Sequence, residues 1–154
     1  DLSKKVISWG KENISDEDTY TEKDSMGRED DIHITLFYGI KSDDPSKTES
    51  LLKDVKLFEV RLGLVNAFKD KEDYDVIKIE IESGDLEKLH YKVGTDIDND
   101  NDFPTYEPHT TIAYVKKDSK NDLVGDEEFK GKTFTANELI FNGSDGSEKV
   151  ITLK

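Results

Sequence analysis

The sequence predicts an α+β fold of mostly antiparallel sheet, bilobal, with two pseudo-symmetric halves around a central cleft. Three observations predict it. Helical and strand periodicities alternate along the 154 residues. Neighbouring strand patterns are joined by turns short enough for antiparallel hairpins. One six-residue pattern, His-x-Thr-apolar-x-Tyr, occurs twice, at residues 33–38 and 109–114. A chain of this length can bury a core as a single domain, residues 1–154.

Leu2, Val6, Trp9 and Asn13 share one helical stripe, with Ile7 and Ile14 beside it, so residues 2–13 read as an amphipathic helix anchored by Trp9. Residues 15–31 are polar and read as a loop. It leads into the first motif, a strand over residues 32–39 that Gly39 ends. After a turn at 42–45, residues 46–55 read as a short helix with Leu51, Leu52 and Val55 apolar. Residues 56–68 form a long strand pattern with Phe58, Val60, Leu62 and Leu64 on one face, and Gly63 predicts a bulge or a close approach. Residues 75–82 alternate, with Ile77, Ile79 and Ile81 on one face and Val76, Lys78, Glu80 and Glu82 on the other. The two strands predict a hairpin. Residues 83–93 read as a helix with Ser83 as N-cap. An acidic loop then enters the second motif strand, 109–116. A short helix or turn falls within 121–129, a strand over 133–142, hairpin turn chemistry at Gly143-Ser144-Asp145-Gly146, and a closing strand at 148–153. The expected arrangement sets one motif strand in each half, side by side at the floor of the cleft. Tyr38 and Tyr114 are expected on the core side.

Composition narrows the function. Thirty-six acidic against 22 basic residues give a net charge of −14, and Arg28 and Arg61 are the only arginines. That argues against a long nucleic acid duplex, whose binding rests on dense Lys and Arg contacts, but not against a small nucleotide in one pocket. The lack of cysteine excludes disulfides, Cys-ligated zinc and thiol nucleophiles. No apolar run approaches the ~20 residues of a membrane span. This balance fits a cytoplasmic protein. The start at Asp1, directly in a helix pattern, suggests a domain excised from a longer chain or lacking an N-terminal strand.

In an ideal strand His33 and Thr35 share a face, as do His109 and Thr111. Two imidazoles can act as acid and base on one phosphodiester, because their ordinary pKa lies near ~6.5. Two hydroxyls can hold the non-bridging oxygens where charge accumulates. This chemistry needs no metal and no cofactor. Two of the three histidines occupy matching motif positions.

On these residues the chain resembles the 2H phosphoesterase superfamily, the 2′-5′ RNA ligase-like proteins. Its segments 31–39, 108–115 and 134–141, the last followed by Asp145-Gly146, resemble the phage-associated branch in particular. The resemblance implies that superfamily's bilobal fold and metal-independent phosphodiester cleavage, with His33 and His109 catalytic and Thr35 and Thr111 phosphate-binding. It implies a small nucleotide or cyclic oligonucleotide as substrate, including the cyclic nucleotides of bacterial antiviral signalling. The alternatives are a 2′,3′-cyclic phosphodiesterase or 2′-5′ RNA end-processing enzyme, and a non-catalytic nucleotide-binding or virion-associated module.

Other residues are weaker candidates. Tyr20, Phe103 and Tyr106 lie in loops before the motifs and could stack on a nucleobase, and Lys116 could reach a phosphate. Asp96, Asp98, Asp100, Asp102 and Glu107 have the spacing of a calcium loop, but Asn101 replaces its glycine and no second helix follows, so the loop reads as a solvated acidic one with weak calcium binding at most. His90 reads as surface or packing.

Overall fold

The computed structural model describes residues 1–23, 26–101 and 105–154. The architecture is α+β with an antiparallel curled sheet and few helices. The chain divides into two compact units. The first comprises Asp1–Thr35, Arg61–Glu82 and Glu107–Lys132, and the second Leu36–Val60, Ser83–Tyr106 and Thr133–Lys154.

The first unit is built on three antiparallel strands in the order β3-β2-β1. They are β1 (Phe58–Phe68), whose first three residues belong to the second unit, β2 (Tyr74–Glu82) and β3 (His109–Lys116). The isoleucine alternation places Ile77, Ile79 and Ile81 in the core, as expected. Helix α1 (Leu2–Asn13) packs on β3 with Val6, Trp9 and Gly10 buried. Asp1 caps it by accepting from the Ser3 N–H, 2.9 Å. Trp9 meets Phe129 edge-on at 5.7 Å. A β-carbon at Gly10 would stand 3.1 Å from Ile112 Cγ2, so the glycine allows this close approach.

Two bulges re-aim side chains here. The β1–β2 register shifts between Leu62 and Val65, where Gly63 lies against Glu80. The expected bulge is therefore present. It also corrects the face assignment of Leu64, because the core positions run Leu62 then Val65. The β2–β3 register shifts between Ile77 and Lys78, so Ile112 and Ala113 both point inward. A bulge sets two residues against one and reverses the phase beyond it. Tyr114 consequently leaves the core face expected for it and shares the face of His109 and Thr111.

The first motif is not the strand expected over 32–39. Its one ladder contact is an isolated antiparallel bridge, Ile34 to Thr110. The free edge of β3 is shared by three short pieces of chain: Thr19 bridges Val115, Arg28 bridges Ala113, and Ile34 bridges Thr110. Continued in the register of the Ile34–Thr110 bridge, residue 36 would fall opposite residue 108, before β3 begins at His109, so residues 36–39 have no strand of that ladder to join. Tyr38, expected in the core, is 69% exposed.

The second unit contains α2 (Ser46–Leu52), α3 (Gly84–Asp96), β4 (Thr133–Ala136) and the hairpin β5 (Glu138–Asn142) and β6 (Glu148–Thr152). Ser83 caps α3 as predicted, its Oγ accepting from the Leu86 N–H at 3.2 Å. The expected strand over 133–142 is split at Asn137, whose carbonyl accepts from Leu153 N–H instead. Both His-x-Thr motifs belong to the first unit, so the expectation of one motif in each half is corrected.

Candidate active site

His33, Thr35, His109 and Thr111 are brought together by one backbone contact. An antiparallel bridge at Ile34 and Thr110 sets residue 33 across from 111 and residue 35 across from 109. Side chains directly opposite in such a pair have β-carbons about 5 Å apart. Thr110 is buried on the core face, so its neighbours face the other way. The result is a four-cornered set, His-Thr facing Thr-His, with a local twofold axis through the bridge. The pseudo-symmetry sought in two halves resides here, in a single antiparallel contact.

The two imidazoles are held alike. His33 Nδ1 lies 3.0 Å from the Asp31 carbonyl and His109 Nδ1 lies 2.8 Å from the Glu107 carbonyl. Each carbonyl is two residues upstream of its histidine. A carbonyl only accepts, so Nδ1 carries the hydrogen in both rings and Nε2 is the working atom. Among the described residues neither Nε2 has a hydrogen-bond partner.

The two environments then differ. His33 is exposed, whereas His109 is half-buried with its ring edge-to-face on Phe68, centroids 4.8 Å apart. Burial lowers the pKa of His109. The positive charges of Lys78 and His33 lower it further, and the Glu107 carbonyl and carboxylate oppose them without reversing the direction. Burial, together with Asp30 and Asp31, raises the Glu29 carboxyl near His33, while His33 itself lowers it.

The same face continues across the sheet. Glu80 is opposite His109, and Lys78 is opposite Thr111. Asn66 Nδ2 donates to Glu80 Oε1 at 2.6 Å. Lys78 is 7% exposed, with Nζ 3.8 Å above the centroid of the Phe68 ring. Farther along, Tyr114 packs edge-on to Tyr74 at 6.0 Å, and Tyr20 stacks on Tyr74 at 5.0 Å.

The weaker candidates are spread out. Tyr20 lies on the aromatic end of this face, and exposed Lys116 is across from Tyr74 there. Tyr106 belongs to the second unit, where its ring lies parallel to His90 at 4.0 Å. His90 is a packing residue, as expected: Nδ1 meets the Leu36 carbonyl at 2.8 Å and the ring also contacts Phe37. Phe103 and Asp102 lie outside the described residues. Asp96 ends α3, and among the described residues no three His, Cys, Asp or Glu side chains form a metal-sized group. Lys78 and Phe68 escaped the sequence reading. A lysine inside an alternating strand reads as solvent-facing, and only the β2–β3 register puts it opposite Thr111.

Fold and site together define an α+β protein that carries a paired His-Thr surface on the edge of an antiparallel sheet. A family model described as "Anti-CBASS protein Acb1" matches residues 3–142. The chain belongs to the Acb1 anti-CBASS family. Compared with curated proteins, it has no match. Among the described residues no helix is long and apolar enough to cross a membrane.

Proposed function

We propose that the protein is a phage enzyme of the 2H type, which opens the phosphodiester of a cyclic oligonucleotide signal in the infected cell by His/His acid-base catalysis. Membership of an anti-CBASS family supports the target, a signal of antiviral defence. The observation that carries the chemistry is the matched pair of Nδ1-anchored imidazoles flanking one bridge.

In the reaction, His109 is the base. Its burial and cationic neighbours favour the neutral ring, so Nε2 accepts the proton of the attacking oxygen, from water or a ribose 2′-hydroxyl, as the new O–P bond forms. His33 is the acid, and its Nε2 gives a proton to the leaving oxygen as the old P–O bond breaks. One proton is taken and one is given, so net charge is conserved across the step. Thr35 and Thr111 donate hydroxyl hydrogens to the non-bridging oxygens, whose charge grows in the transition state. The groups named provide acid, base and oxyanion donors without a metal. Tyr20 and Lys116 lie where a nucleoside attached to that phosphate could extend over the Tyr74–Tyr114 end of the face.

The test is turnover with EDTA present. Cyclic di- and trinucleotides, 2′-5′ oligoadenylates and 2′,3′-cyclic nucleotides are incubated with the protein and resolved by chromatography. Cleavage of a cyclic oligonucleotide, unaffected by EDTA, is expected. No turnover of any of them, or loss of turnover in EDTA, would refute the reading.

A further inference from the structure

Lys78 is more than nine-tenths buried in a chain of net charge −14. Among the described residues it has no hydrogen-bond or ion-pair partner. Burying an ammonium without a counter-ion is costly, and proteins seldom retain one without a use for it. The acids nearest to it do not supply the missing partner. Glu80 is engaged by Asn66 at 2.6 Å, and Glu107 acts on Lys78 only through space. The stem is instead held by the Phe68 ring, whose face carries the ammonium at 3.8 Å and which also packs against His109. Asp75 Oδ1 and Thr110 Oγ1 are the sealed side-chain polar atoms without a hydrogen bond among the described residues, so the ammonium keeps access to solvent.

Lys78 is directly across β2–β3 from Thr111 and on the face of both histidines. The four His and Thr side chains bring no permanent positive charge to a phosphate that is already an anion. A charged donor aimed at a non-bridging oxygen would supply it and gain the partner it lacks.

We infer that Lys78 is a phosphate-binding residue of this site, its counter-ion being the phosphodiester of the substrate. The inference rests on the reading of this face as a phosphodiester site. Phe68 is then a positioning residue, holding the ammonium and the His109 ring in fixed relation before substrate arrives. A lysine suits this task because its flexible stem can move a few ångströms from the ring to an oxygen.

The experiment uses Lys78→Met, with Lys78→Gln as a second variant, in two arms. In the first, inorganic phosphate is titrated into the intact protein while the imidazole C–H signals of His33 and His109 are followed by NMR. Phosphate affinity should fall about ten- to a hundred-fold in both variants. This arm is independent of turnover, so it judges Lys78 even if no cyclic oligonucleotide is cleaved. In the second arm, thermal unfolding separates a binding role from a structural one. Lys78→Met should melt at the same temperature as the wild type or higher, because an unpaired buried charge has been removed. Phosphate affinity within twofold of wild type, or a lower melting temperature in both variants, would overturn the assignment.

Discussion

Replacing Asp75 by Asn tests how the sheet end nearest the aromatic cluster is fixed. Its side chain is 2% exposed. Oδ2 accepts from Lys69 Nζ at 2.6 Å and from the Asp118 N–H at 2.9 Å, and Oδ1 faces Lys117 Nζ at 3.0 Å. Burial alone would raise the carboxyl pKa, but Lys69, the Asp118 amide and Lys117 together bring it below the ordinary value. The Asn amide group cannot avoid a donor: placed at Oδ2 it meets Lys69 and the Asp118 amide, and placed at Oδ1 it meets Lys117. Breaking a buried pair costs about 3–5 kcal/mol. Here Lys69 and Lys117 side chains are 38% and 31% exposed and regain hydration, so the expected loss is smaller, about 2–3 kcal/mol. For a chain of this size that lowers the melting temperature by roughly 5–10 °C. Circular dichroism melts of wild type and variant at neutral pH measure the gap. The folded-state pKa is depressed, so wild-type stability from this group is complete above the unfolded value near ~3.9 and is lost as pH falls through the folded value. The gap should therefore close in acid. A gap under about 2 °C at neutral pH, or one that stays constant down to about pH 2, would refute the reasoning.

Two further outcomes follow from the site. With His109 as base, its lowered pKa keeps the ring neutral below the ordinary range, so the acid limb of the kcat/KM profile should lie under ~6.5. Burial sets it first, with Glu107, Lys78 and His33 acting on the ring, and a limb at or above ~6.5 would assign the base elsewhere. Gly63→Val would place side-chain atoms where a β-carbon already meets Glu80 Cβ and carbonyl oxygen at 3.3 Å. It should cost about 1–3 kcal/mol in denaturant melts and reduce turnover by displacing the backbone opposite His109, whereas a wild-type midpoint would show that the bulge tolerates a side chain.

Much of the fold could be read locally. Helix α1 follows from its apolar stripe, α3 from Ser83 and its leucines, β3 from its branched run, and the β5–β6 hairpin from its turn residues. The four candidate site residues stood out because the motif repeats. What escaped depends on pairing. Ile32, Ile34 and Phe37 give residues 32–39 a strand composition, yet β3 offers that segment one bridge, because in the register of Ile34 and Thr110 the partner strand begins only at His109. Tyr114 and Leu64 changed face through bulges, whose phase reversal is set by the partner strand. Lys78 became visible only when register placed it opposite Thr111.

In the proposed reaction His33 and His109 act as one unit on one phosphate. The most direct measurement is single-turnover cleavage of a cyclic dinucleotide, with EDTA present, by wild type, His33→Ala, His109→Ala and the double variant. Each single change should cost about 10²–10⁴-fold, and the double should cost little more than the worse single, as groups serving one step are not additive. A double variant whose loss is the product of the two singles, or a single variant that keeps wild-type turnover, would contradict it.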